Sequence, residues 1–330
     1  VKYRHRKRIL KLPSLRHGRN WMKRIRFKRY HNLSLYTFTR IFAHNVDEDE
    51  ILDRANGVAF NFILAIFPFV IFLFTLIPYV TAYFPEVNKE SILEFLGEMM
   101  PPSMFDVVSG TIVDIVSNQR GGLLTFGFVF ALFLATNGML ALMRAFNACY
   151  RTVEARSIWK MRMTATGLTL LLSLVLFVAI ILLVVGQLII NYVISHAQEF
   201  SEFNLDHITI YSLLLMRFVV IFVVFFVTIS SIYYFGPAVH YNWRFFSIGS
   251  LLATLGCLAI SYGFSYYVTN FGSYNKVYGS IGALIALMVW VQLLTTVLLF
   301  GYEVNASLHY GSKEQALRAH RARQGAKSFR

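Results

Sequence analysis

At 330 residues the chain has room for two or three soluble domains. Yet 56% of it is hydrophobic and its mean hydropathy is +0.55, against roughly 45–50% apolar residues in soluble domains. The excess excludes an ordinary water-soluble enzyme as the first reading and favours several apolar spans of about 20 residues each. The net charge of +14 is uneven: residues 1–46 hold 14 Lys and Arg and no acid, and the rest balances 17 basic against 17 acidic residues. Cys149 and Cys257 sit in or beside apolar runs, which does not suggest a disulfide framework and fits small buried hydrophobes.

More than 50 residues precede the first apolar run, so no cleavable signal peptide is expected. Residues 1–46 read as a basic tail. Its segment Asn20–His44 interleaves Trp21, Ile25, Phe27, Tyr30, Phe38 and Phe42 with Lys and Arg, the composition of an interfacial helix. Asn45 is suited to an N-cap, and Asp47, Glu48, Asp49 and Glu50 suit the first turn of the helix that follows.

The first span is expected near Val58–Tyr83, with Pro68 and Pro78 as kink sites. The acidic stretch 84–122 has apolar residues at helical spacing and predicts an amphipathic segment outside the membrane. Further spans are expected near Leu123–Cys149, Thr164–Val193, Ile208–Phe235, Phe246–Val268 and Ser280–Phe300. A basic tail follows from Lys313. The N-terminal tail, the 150–162 and 236–245 loops and the C-terminal tail are basic, whereas the intervening segments hold only Lys89, Arg120 and Lys276. The bias predicts cytoplasmic termini. The fold class is therefore all-α, a polytopic membrane protein of about six transmembrane helices. Its organisation is a basic tail over 1–46, a membrane domain over 47–310 and a second basic tail over 311–330.

Three stretches carry a family resemblance. Gly57-Val58-Ala59-Phe60 through Phe67-Pro68 is one. Asn137-Gly138-Met139 through Arg144-Ala145-Phe146-Asn147, with Glu154 to Lys160, is the second. The third and longest runs from Tyr234 to Leu308. It includes Phe235-Gly236-Pro237, Tyr267 to Asn275, Tyr278-Gly279-Ser280-Ile281-Gly282 and Gly301-Tyr302-Glu303-Val304-Asn305. Together they resemble the YihY / virulence factor BrkB family over roughly Asp47–Leu308. The resemblance implies a six-spanning protein of the bacterial inner membrane. It also implies a history of mislabelling as ribonuclease BN and roles in serum resistance, transport or envelope lipid handling.

Catalytic signals are weak. The nine histidines are never closer than 11 residues, whereas zinc and nuclease sites commonly use short ligand spacings. No P-loop or Gly-x-Ser-x-Gly elbow occurs, and neither a metal nor a cofactor is expected. Two polar groups stand out at membrane depth. An inner layer combines Asn61, Asn137, Arg144, Asn147, Glu303 and Asn305. Arg144 and Glu303 each lie about 30 Å along their spans at 1.5 Å per residue, and are expected to pair. An outer cluster combines Gln187, Asn191, Arg217, Asn270, Tyr274, Asn275 and Tyr278. These groups favour a transporter of a lipidic or anionic molecule, with a non-transporting scaffold for envelope proteins as the alternative and a nuclease behind both. The expected partners are membrane lipids, their anionic headgroups at the N-terminal tail, and not nucleic acid. A homo-oligomer is left open.

Overall fold

The computed structural model describes residues 20–80, 121–195, 207–238, 245–270 and 280–328. The 84–122 segment and the first 19 residues therefore lie outside the described residues almost entirely.

After a helical turn at 20–24, the chain forms a small antiparallel hairpin. Strand β1 (Arg26–Phe27) pairs with β2 (Leu33–Ser34), and a 3₁₀ turn over Lys28–Tyr30 joins them. His31 and Asn32 close the hairpin at φ 50° and 59°, the left-handed region where short polar residues are best tolerated. Ser34 caps α1 (Leu35–Glu48) by accepting the Thr37 amide at 3.2 Å. Instead of one interfacial helix, this region is a hairpin and a helix packed on the bundle. Leu33 and Ile41 lie close over Gly311, and the Phe42 ring is 6.3 Å from that of Phe300.

Asn45 is consequently not an N-cap. It is buried inside α1, and the acid run straddles the end of that helix, with Asp49 as its C-cap. The next helix begins at Ile51, where Ile51 and Ala55 extend the buried stripe of Val58 two turns and one turn ahead of the apolar run.

Six long helices follow: α2 (Ile51–Val80), α3 (Gly121–Cys149), α4 (Ile158–Ser195), α5 (His207–Phe235), α6 (Ile248–Asn270) and α7 (Ser280–Ser328). Each contains a stretch long and apolar enough to cross a membrane. Helix α2 continues through both prolines, and α7 continues through the residues expected to be a tail. Helix α3 packs along α2, α6 along α7, and α7 also against α2 and α1, while α4 bridges α3 and α5. Outward-facing Phe126, Phe133, Leu174 and Phe177 are exposed. So large an apolar surface suits lipid rather than water.

The core is concentrated where α1, the end of α3, the start of α6 and the latter part of α7 meet, the proximal end. There the Tyr302 ring stacks on Phe146 at 4.1 Å and meets Tyr233 edge-on at 5.2 Å. The Tyr233 hydroxyl donates to the Leu298 carbonyl at 2.5 Å. Helices α6 and α7 touch backbone to backbone. A Cβ on Gly301 would lie 2.7 Å from the Ala253 Cβ and from the Gly249 carbonyl, so the close approach needs glycine.

Candidate functional site

Helix α7 buries Thr295, Leu299, Tyr302, Glu303, Ala306 and Ser307 at spacings of three and four, and from Gly301 to Leu308 it is buried on nearly every side. Glu303 therefore points into the protein and is 0% exposed. Its Oε1 accepts from Asn45 Nδ2 of α1 at 2.8 Å and from Ser307 Oγ, one turn further on, at 2.7 Å. Asn45 Nδ2 also reaches Ser307 Oγ at 3.3 Å. The Cys149 thiol, at the end of α3, adjoins the same carboxyl. Oε2 is buried without a hydrogen-bond partner, and among the described residues no Lys or Arg forms an ion pair with Glu303.

The charge of Asp49 acts on it. Asp49 is 8% exposed, and its Oδ2 is likewise buried and unpartnered. Burial raises the Asp49 pKa above the ordinary aspartate value, and the Arg151 charge partly opposes the rise. Arg151 itself holds Glu48 at 2.6 Å on the surface.

Two further networks close the proximal end. Glu154, in the loop after α3, is gripped by Arg156 through both oxygens, with Nε and Nη2 each at 2.8 Å. The Arg156 contact is the main reason its carboxyl titrates below the ordinary value, with burial opposing. Asn147 donates to Glu154 at 2.8 Å and accepts the Ala238 amide at 2.8 Å. Arg156 Nη2 donates to the Gly236 carbonyl at 2.8 Å, so α3, the loop and the end of α5 are tied together. In the other network Asn305 accepts the Gly249 amide at 2.9 Å and donates to Ser247 Oγ at 2.9 Å, fastening the start of α6 to α7.

The inner layer read from the sequence is thus partly assembled. Asn147, Glu303 and Asn305 are buried at the proximal end, each in its own network. Asn61 bonds back to the Gly57 carbonyl of its own helix at 2.7 Å. Asn137 accepts from Arg162 Nη1 at 2.7 Å, and the Arg162 guanidinium covers the Phe133 ring at 4.7 Å. The expected Arg144–Glu303 pair is not formed. Met139, Leu142, Met143 and Phe146 form the buried stripe of α3, which turns Arg144 to the exposed side. A similar axial depth did not imply a shared face. Of the outer cluster, the side chains of Gln187, Asn191, Arg217 and Asn270 lie outside the described residues, as do Tyr274, Asn275 and Tyr278 altogether.

Ser307 escaped the sequence reading, and Asn45, Asp49 and Cys149 entered it in structural roles and not as site residues. Glu303 and Ser307 are four residues apart on one helix, a spacing that brings a hydroxyl to a carboxylate, and that signal was available. Nothing local links Asn45 to them. Among the described residues no group of three or more His, Cys, Asp and Glu is placed to hold a metal ion.

Six apolar helices around a buried polar end define a multi-pass α-helical membrane protein. The comparisons agree: the family model described as Virulence factor BrkB matches residues 42–326. The ribonuclease-like protein YfkH of Bacillus subtilis is 34% identical over 260 residues, 79% of this chain and 90% of that one. A UPF0761 membrane protein of Pseudoalteromonas atlantica is 25% identical, covering 84% of this chain and 89% of its own. Another from Aggregatibacter aphrophilus is 26% identical, covering 82% and 92%. No solved structure matches the chain. The chain belongs to the virulence factor BrkB family of bacterial inner-membrane proteins. Nothing in the site indicates catalysis, whatever the relative's name suggests.

Proposed function

We propose that this protein carries, or helps to carry, a lipidic or anionic molecule across the inner membrane. In this reading the proximal end faces the cytoplasm, in keeping with the basic residues it bears, and the Glu303 cluster closes the path there. The observation that carries the reading is Glu303 itself: fully buried on a spanning helix, with no basic partner among the described residues, and with Oε2 outside the hydrogen bonds from Asn45 and Ser307. An ionisable group at membrane depth costs several kcal/mol unless it is paired or wet. A lock that served packing alone would satisfy both oxygens or use an apolar side chain of similar volume. An oxygen left over is what a moving polar group or a change of protonation needs.

The test uses the full-length protein in vesicles of phosphatidylethanolamine and phosphatidylglycerol, with a trace of phosphatidylglycerol bearing a dithionite-bleachable fluorophore. The protein is expected to bring inner-leaflet label within reach of external dithionite. Glu303→Gln, which keeps the Asn45 and Ser307 contacts, is expected to slow this at least about tenfold, equivalent to about 1.4 kcal/mol on the barrier. The glycine contact between α6 and α7 is the observation favouring the scaffold alternative. In that case vesicles with the protein match protein-free ones, both for labelled lipid and for a small organic anion, and the carrier reading fails.

A further inference from the structure

The proximal end holds a second polar feature, separate from Glu303. A cavity of about 480 Å³ opens between the hairpin, the start of α1 and α7, lined in part by Lys23, Arg26, His31, Ser34, Tyr36 and Gln315. Gln315 is twelve residues beyond Glu303 on α7, about 18 Å along the axis at 1.5 Å per residue. The cavity and the buried carboxyl are thus distinct places.

Its chemistry is one-sided. None of its lining residues is an Asp or Glu. Lys23 has its ammonium 5.4 Å from the centre of the Tyr36 ring and forms no ion pair among the described residues. Arg26 is exposed and forms no ion pair among them. The wall is also built rather than incidental. His31 Nδ1 and Ser312 Oγ share a hydrogen bond of 2.9 Å that ties the hairpin to α7. His31 and Asn32 are held at φ 50° and 59° beside it, left-handed conformations that need surrounding contacts to persist. The neighbouring Leu33 is fully buried against Gly311, which anchors the strand from below.

Two cations without carboxylates, flanked by hydroxyls, an imidazole and an amide, make a donor-rich site for a compact polyoxygen anion. The volume falls in the range of small-molecule sites, about 300–1,000 Å³, and the lining is more polar than apolar. We propose that this cavity binds a phosphate ester through Lys23 and Arg26. The ester belongs either to an anionic phospholipid headgroup or to a soluble phosphorylated compound. The proposal stands whether or not the protein proves to be a carrier.

The full chain in detergent is titrated with dihexanoylphosphatidylglycerol and, separately, with glycerol 1-phosphate, and Kd is read by thermophoresis. Two double variants remove equal charge. Lys23→Ala with Arg26→Ala empties the cavity wall of cations, whereas Lys28→Ala with Arg29→Ala strips the adjacent 3₁₀ turn outside it. All four residues are exposed, so both variants are expected to elute like the parent. At least one probe is expected to bind, about tenfold weaker in the first variant and within about twofold in the second, a contrast of about 1 kcal/mol or more. Preference for the lipid assigns the headgroup as the source, and equal or tighter glycerol 1-phosphate assigns the soluble ester. Binding of neither probe, or equal losses in the two variants, overturns the proposal. A negative vesicle assay leaves this result untouched, so the two readings fail separately.

Discussion

Asn45 holds Glu303 from a different element, and this single amide decides how the carboxyl is kept in place. Asn45→Ala removes the 2.8 Å bond and leaves the carboxyl with the Ser307 hydroxyl and the adjoining Cys149 thiol. A buried polar group that loses its partner costs about 1–3 kcal/mol, so the variant is expected to melt measurably earlier in detergent. Glu303→Gln is expected to stay within about 1 kcal/mol of the parent, because the amide oxygen still accepts from both donors. Equal melting of Asn45→Ala and the parent would show that the contact carries no stability. Glu154 supplies a pH dependence. Its pKa is lowered by Arg156 below the ordinary 4.5. Its contribution is therefore complete above that value in the folded protein and is lost as pH falls through the lowered folded-state pKa. Between pH 7 and pH 4 or lower the parent is expected to lose more melting temperature than Glu154→Gln, and parallel curves would contradict the assignment.

At the scale of elements, the α6–α7 contact separates glycines that are needed from glycines that are not. A Cβ on Gly249 would overlap the Gly301 carbonyl oxygen and lie 2.6 Å from the Asn305 amide, whereas one on Gly263 meets nothing within 4 Å. Gly249→Ala is expected to cost about 1–3 kcal/mol through overpacking. Gly263→Ala on the same helix is expected to be neutral or to gain up to about 1 kcal/mol of helix propensity. Comparable melting shifts for the two would refute the close approach. The spans were legible in the sequence because each is a long apolar run with polar ends. Their ends were less so, since helices continue past the hydrocarbon wherever a buried stripe persists, as at Ile51 and along α7. The hairpin was not legible: its strands are two residues long, too short for any alternation to show. Its basic and aromatic content imitates an interfacial helix.

Considered as a whole, the molecule is sealed at its proximal end by three polar networks and an aromatic stack. Asn147, Glu303 and Asn305 were recognisable from the sequence because polar residues inside apolar runs are costly. Their partners were not, since a linear sequence gives axial depth but not which face of α3 meets α7. For that reason Arg144 was paired with Glu303 on depth alone, and the structure gives the place to Asn45, 258 residues away from Glu303. If the Glu303 cluster closes a path, the seal must part during transport, and Cys149 reports on it. Cys149 and Cys257 are the chain's two cysteines, so Cys257→Ser leaves a single thiol beside Glu303. The decisive measurement is the alkylation rate of Cys149 by a small water-soluble maleimide in the vesicles used for translocation. The account predicts slow labelling at rest and acceleration while labelled lipid or anion is crossing, with Glu303→Gln suppressing both together. Translocation that proceeds while Cys149 stays unreactive would place the path elsewhere and contradict the account.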